Sequence, residues 1–198
     1  MDRSEWDVRY SGEELLWSAE PNQFLVQEVE GLPPGRVLDV ACGEGRNAIW
    51  LASRGWQASG VDFSPVGLDK GRRIADQRGV AVTWIDADLA DWSPAAEAFD
   101  LVIVFYLQLP QEQRRPLHRR MATAVAPGGT MLVVAHDSQN LTDGYGGPQD
   151  PSVLFSAEDV AADLAGLRIV KAEQVRRAVQ TDSGEKWAID ALVRAVRP

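Results

Sequence analysis

Residues Arg36 to Arg46 read Arg-Val-Leu-Asp-Val-Ala-Cys-Gly-Glu-Gly-Arg, an apolar run that carries an acid, Asp39, into a turn with two glycines, Gly43 and Gly45. A helical pattern follows from Asn47, and a second run ends on another acid, Asp62. Glycine lets backbone pass close to a ligand where any Cβ would collide. The first turn of a helix presents free N–H groups, and an acid at the tip of the second strand lies where a ribose diol would. These residues describe a cradle for a nucleoside.

Three chemistries use a glycine-rich turn between strand and helix. A triphosphate loop needs Gly-Lys-Ser/Thr at its end, and this one ends Gly45-Arg46-Asn47. A dinucleotide fingerprint needs G-x-G-x-x-G, which Gly43, Gly45 and Ala48 meet only in relaxed form. Asp39, four residues before Gly43, decides between them. A carboxylate aimed at the pocket mouth repels a pyrophosphate and favours a ligand that carries ammonium or sulfonium charge.

On Asp39, Gly43, Gly45 and Asp62, the chain resembles the class I S-adenosylmethionine-dependent methyltransferases, from Val37 to about Val134. The loop Ala-Cys-Gly-Glu-Gly-Arg-Asn and the earlier Trp-Asp-x-Arg-Tyr…Leu-Trp segment are similar to the tellurite-resistance and thiopurine methyltransferase-like branch. The resemblance implies S-adenosylmethionine as donor and S-adenosylhomocysteine as product. It implies that Gly43 and Gly45 underlie the methionine moiety and that Asp39 lies near its amino group. Asp62 and Phe63 would meet the ribose, and Asp88 and Leu89 the adenine, with Asp86 a rival for that contact. Phe105, with Tyr106, would face the amino-acid portion where the acceptor enters. Arg46 and Trp17 would line the wall.

The elements that must place these residues alternate. Apolar runs predict strands over 37–41, 57–62, 80–85, 99–105, 130–135, 167–175 and 187–196. Helical patterns cover 44–54, 64–77, 111–124 and 156–165, with Ser64-Pro65 and Ser156-Ala-Glu-Asp as start signals. No helix separates the last two strands, so they form a hairpin at Asp182-Ser183-Gly184. The fold class is α/β: a Rossmann-like, doubly wound, mostly parallel seven-stranded sheet with a C-terminal antiparallel hairpin strand. One domain spans 1–198. Residues 1–30 form an N-terminal helical segment, a lid or an edge helix, bearing Trp6, Tyr10 and Trp17; 36–136 form the donor-binding core. A glycine-rich loop over 137–155 lies on the acceptor side, and 156–198 hold a helix and the hairpin.

Composition narrows the partners. With 29 acidic against 20 basic residues and a net charge of −9, the chain lacks the basic face that a nucleic acid needs. Arg114, Arg115, Arg119 and Arg120, with His118, read as the wet face of a helix. The partner expected is a small molecule. One cysteine, Cys42, excludes an internal disulfide and any cysteine-based zinc site; no metal is expected, and small-residue packing is the favoured role. No leader pattern and no apolar run near the ~20 residues of a membrane span point to a cytoplasmic protein.

Methyl transfer from a sulfonium is an in-line displacement with an activated leaving group, so alignment, worth ~7–11 kcal/mol, is the protein's main task. A base is needed only if the acceptor keeps a tightly held proton. His136, after the fifth strand, is the candidate catalytic residue, with Asp137 able to orient it or with both simply anchoring the loop. Two other readings compete: a non-catalytic protein that binds S-adenosylmethionine or S-adenosylhomocysteine, and a nicotinamide-dependent oxidoreductase, for which no Tyr-x-x-x-Lys is present.

Overall fold

The computed structural model describes residues 2–198. Seven strands form one sheet: β1 (Arg36–Val40), β2 (Gln57–Asp62), β3 (Val82–Asp86), β4 (Phe99–Phe105), β5 (Val125–His136), β6 (Arg168–Thr181) and β7 (Gly184–Val196). Their order is β3-β2-β1-β4-β5-β7-β6. The first five pair in parallel, and β7 runs antiparallel to both β5 and β6. The order reverses between β1 and β4, the crevice where ligands bind in such sheets.

Both faces are covered, which is why β4 is apolar throughout. Helices α2 (Gln23–Glu28) and α3 (Arg46–Ser53) bury Leu25, Ala48 and Leu51 against one face. Helices α5 (Gln111–Thr123) and α7 (Ala157–Asp163) bury Leu117, Met121 and Val160 against the other. Helix α4 (Pro65–Gln77) starts as read, with the Ser64 hydroxyl accepting from the Gly67 N–H at 3.1 Å. Ser156 and Asp159 close a capping box on α7. Helix α1 (Arg3–Tyr10) packs on α4, and a short α6 (Asn140–Asp143) sits inside the long loop after β5. Both hairpin strands run further toward the turn than their apolar runs suggested, because cross-strand bonding continues through polar residues to Thr181 and Gly184.

The arginine-rich helix corrects one expectation. His118 and Arg114 are 1% and 3% exposed rather than solvated. Asp163 on α7 draws them inward: Arg114 Nε bonds its Oδ2 at 2.8 Å, and His118 Nδ1 lies 3.2 Å from the same oxygen. An acid from a different helix reverses what the local charge pattern implied.

Trp84, on β3, explains two glycines at once. A Cβ on Gly45 or Gly71 would strike its ring, whereas one on Gly60 would strike the Cys42 sulfur at 2.8 Å. The indole fills the space below the loop.

Candidate active site

The tips of the parallel strands surround a cavity of about 440 Å³. Asp39, Gly43, Gly45, Arg46, Asp62, Phe63, Phe105, His136 and Trp17, all expected at the site, line it. Gly43 and Gly45 hold left-handed φ values of 55° and 75°. Ala41 and Tyr106, at the tips of β1 and β4, hold φ of 55° without being glycine, the kind of strain that collects at functional sites.

Two buried carboxylates hold the loop. Asp62 Oδ2 accepts from the Gly43 N–H at 2.8 Å, and Oδ1 from the Ser64 N–H at 2.9 Å. Each oxygen keeps a further lone pair for a ligand. Asp39, 2% exposed, accepts from the Ala48 N–H in the first turn of α3 at 3.1 Å. Burial, opposed by that N–H and the Arg46 charge, pushes the Asp39 carboxyl up to about 7. Burial also raises Asp62. Such acids gain most from a cation arriving beside them. Cys42 is a packing residue, its thiol raised by burial and by Asp39 and Asp62, the opposite of an activated nucleophile.

The N-terminal aromatics close over this cradle. Tyr10 is buried, with its hydroxyl where a Cβ on Gly43 would fall. Trp6 stacks on it at 5.5 Å, and the Arg9 guanidinium lies 4.6 Å from the Trp6 ring and 6.0 Å from that of Trp17. A latch that the sequence did not announce fastens the segment. The Leu16 N–H donates to both Glu44 oxygens at 3.0 and 3.2 Å, while Lys70 Nζ reaches Glu44 at 3.0 Å and the Glu14 carbonyl at 2.7 Å.

Asp88 and Leu89 stand apart from the cavity wall. Asp88 Oδ1 accepts from the Ala90 N–H at 2.8 Å, an Asx turn after β3, and Leu89 is buried in the core. Their rival Asp86 is exposed and pairs with Arg3 at 3.5 Å. Asp137 does not orient His136: its Oδ1 accepts from the Gln139 N–H at 2.9 Å and Gln174 Nε2 at 3.2 Å. Neighbours on an extended chain point opposite ways. Asp190, from β7, faces His136 instead, Nδ1 to Oδ1 3.3 Å.

Known proteins resemble the chain in sequence and in fold. Residues 37–129 match the methyltransferase domain family. The chain is 30% identical over 141 residues to a 2-heptyl-1-hydroxyquinolin-4(1H)-one methyltransferase of Mycobacteroides abscessus, covering 69% of this chain and 62% of that protein. It is 31% identical to ribosomal RNA small subunit methyltransferase C of Alcanivorax borkumensis over 77% of this chain and 47% of that one. The chain spans less than two thirds of either relative. The N-methyltransferase NodS of Bradyrhizobium japonicum, solved with S-adenosylhomocysteine, superposes with a TM-score of 0.74 at 20% identity over 99% of this chain and 98% of that one. Residues 37–129 therefore match a methyltransferase domain, and the sheet has the fold of the NodS N-methyltransferase.

Proposed function

We propose that this protein transfers a methyl group from S-adenosylmethionine to a small-molecule acceptor by in-line displacement, as a member of the tellurite-resistance and thiopurine methyltransferase-like branch. One observation carries the reading: two buried carboxylates, Asp39 and Asp62, flank a loop whose glycines leave no side chain between them and the cavity. That donor set fits the cofactor, whose ribose diol and amino group need acceptors. Asp62 would take the diol, Asp39 the amino group, and Arg46 the carboxylate. Asp88 and Leu89 serve the adenine only if the turn after β3 reorients.

When bound, the cofactor supplies a methyl group on a positively charged sulfur. Buried Tyr10, with Trp6 stacked on it, covers part of the cradle, which strengthens the charge contacts beneath it. His136, at the end of β5, takes up a proton where the acceptor has one to lose. A net charge of −9 and a cradle roofed by residues of the N-terminal segment favour a small acceptor over a polyanion, as with the quinolone relative.

Thermal shift with S-adenosylmethionine, S-adenosylhomocysteine and NADH tests the reading. A ligand at 100 times its dissociation constant stabilises by ~2.7 kcal/mol, and both adenosyl compounds should do so while NADH does not. Formation of S-adenosylhomocysteine with a panel of phenols, thiols and chalcogen oxyanions should follow. A shift with NADH alone overturns the proposal; tight binding without turnover on any acceptor favours a sensor.

A further inference from the structure

Four side chains from four strands meet on one side of the cavity. Antiparallel register sets His136 on β5 directly opposite Asp190 on β7. Asp190 in turn opposes Val175 on β6, so Arg177, two residues on, shares that face. Tyr106 joins from the tip of β4. Asp190 is 0% exposed; its Oδ2 accepts from the Tyr106 hydroxyl and from Arg177 Nε, each at 2.8 Å.

The other oxygen is left to histidine. Asp190 Oδ1 and His136 Nδ1 are 3.3 Å apart, off the angle of a formed hydrogen bond, and neither has another partner among the described residues. Active-site contacts of this kind tighten when substrate arrives. The ring itself is fixed. The backbone N–H of His136 donates to Gln108 Oε1 at 2.9 Å and anchors the chain there; the ring is hemmed in by the Tyr106 ring 5.1 Å away and by Gly147, where a Cβ would sit 2.9 to 3.0 Å from three ring atoms. With Nδ1 turned to Asp190, Nε2 is the polar atom available to an incoming group. Arg177 uses Nε on Asp190 and on the Tyr106 hydroxyl at 3.0 Å, and its terminal nitrogens make no hydrogen bond among the described residues. Its side chain is part-exposed and lines the cavity with His136.

A purely structural ion pair would need Arg177 and Asp190 alone. It accounts neither for an imidazole aimed at the second oxygen nor for a guanidinium with its donors left over. On the methyltransferase reading above, we infer that this cluster is the acceptor's subsite and that it takes an acidic hydroxyl: a phenol, an enol or an N-hydroxy group. His136 Nε2 uses its lone pair to accept the hydroxyl proton. The O–H bond breaks and its electron pair stays on oxygen; Nδ1–H bonds Asp190 Oδ1, so the imidazolium has its counter-ion in place. The oxyanion faces the Arg177 terminal nitrogens, and the proton leaves to water with the product. Asp190 is a positioning residue, acting through His136 and Arg177. An ammonium acceptor would meet the guanidinium and be repelled.

The probe is 4-nitrophenol, whose phenolate is yellow and whose neutral form is not, titrated into protein saturated with S-adenosylhomocysteine at a pH where the free probe is half ionised. The bound probe should read as phenolate, and 4-nitrotoluene, of the same shape without the acid, should bind about tenfold more weakly, the size of one charge-assisted hydrogen bond. Arg177→Gln should lose that discrimination, and Asp190→Asn should raise the protonated fraction of the bound probe, a spectral change that a structural role alone would not produce. A wild-type protein that binds the neutral phenol, or binds both compounds equally, overturns the inference without any variant having to fold. Failure to bind S-adenosylhomocysteine at the outset instead overturns the methyltransferase reading, and this one with it.

Discussion

Replacing Asp39 by asparagine removes a charge while keeping the shape of its site and an oxygen for the Ala48 N–H. The native carboxyl is pushed up to about 7, about three pH units above an ordinary carboxylate. At ~1.4 kcal/mol per unit, holding Asp39 ionised in the ligand-free fold costs on the order of 4 kcal/mol. The sign follows from proton counting. Between about pH 4 and 7 the unfolded chain has lost this proton while the native fold retains it, so this residue's contribution to stability falls as pH rises through that window and levels off above it. Asp39→Asn lacks the decline. Urea unfolding of both proteins without ligand should give similar stability near pH 4 and, near pH 8, a variant more stable by up to about 4 kcal/mol. Binding reverses the ranking. The wild type should bind S-adenosylhomocysteine about tenfold more tightly near pH 8 than near pH 6, because the carboxylate is the form that holds an amino group, and the variant should bind weakly at both. Parallel stability profiles, or undiminished affinity in the variant, would refute the account of Asp39.

Other perturbations isolate other parts. Gly45→Ala meets both a left-handed φ and the Trp84 ring, whereas Gly79→Ala at φ 65° meets open space; Gly79→Ala should cost about 1–2 kcal/mol, Gly45→Ala clearly more, and equal losses in thermal unfolding would remove Trp84 from the argument. Lys70→Met strands the buried Glu44 charge, a loss on the order of 3–5 kcal/mol, and should expose residues 11–20 to limited proteolysis; an unchanged cleavage pattern would show that the latch does not hold the segment. Asp163 is held well below the usual carboxylate range because Arg114, Arg115 and His118 overcome its burial, so its contribution is present at neutral pH and lost as pH falls below about 4. Asp163→Asn should therefore destabilise at pH 7 and flatten acid unfolding; an unaltered acid limb would count against that cluster.

What was legible in the sequence was local. The turn at Gly43 and Gly45, the caps at Ser64 and Ser156 and the hairpin turn at Gly184 are signals written within a few residues, and each appears where the pattern put it. What escaped was set by register and by contacts between distant elements. No local pattern tells that β7 will place Asp190 opposite His136, or that α7 will bring Asp163 beneath Arg114 and His118. The same limit explains why Asp137, merely adjacent to His136, was the available candidate for its partner. The link from Trp84 to Gly45 and Gly71 is likewise a contact between separate elements, with no local signal.

The sheet order also divides the charges. Residues toward β1 and β2 bring Asp39 and Asp62 to one part of the cavity, and the ends of β4 and β5 with the middle of β6 bring Tyr106, His136 and Arg177 to another, with Asp190 of β7 buried behind them. Arg46 also lines the cavity, so the division is one of which groups lie nearest: a sulfonium would meet the two carboxylates at one end, and an oxyanion the Arg177 guanidinium at the other. Binding in the wrong site would set the sulfonium beside Arg177 or the oxyanion beside two carboxylates, and like charges at close range in a low-dielectric cavity cost far more than in water. The single antiparallel strand is what makes this possible. Only β7, inserted between β5 and β6, can carry one buried acid that faces a histidine on one neighbour and an arginine on the other. Exchanging that acid for its amide should therefore disturb acceptor selection while leaving the cradle around Gly43, built from other strands, to bind S-adenosylhomocysteine as before; a loss of both together would mean that the two halves of the cavity are one unit.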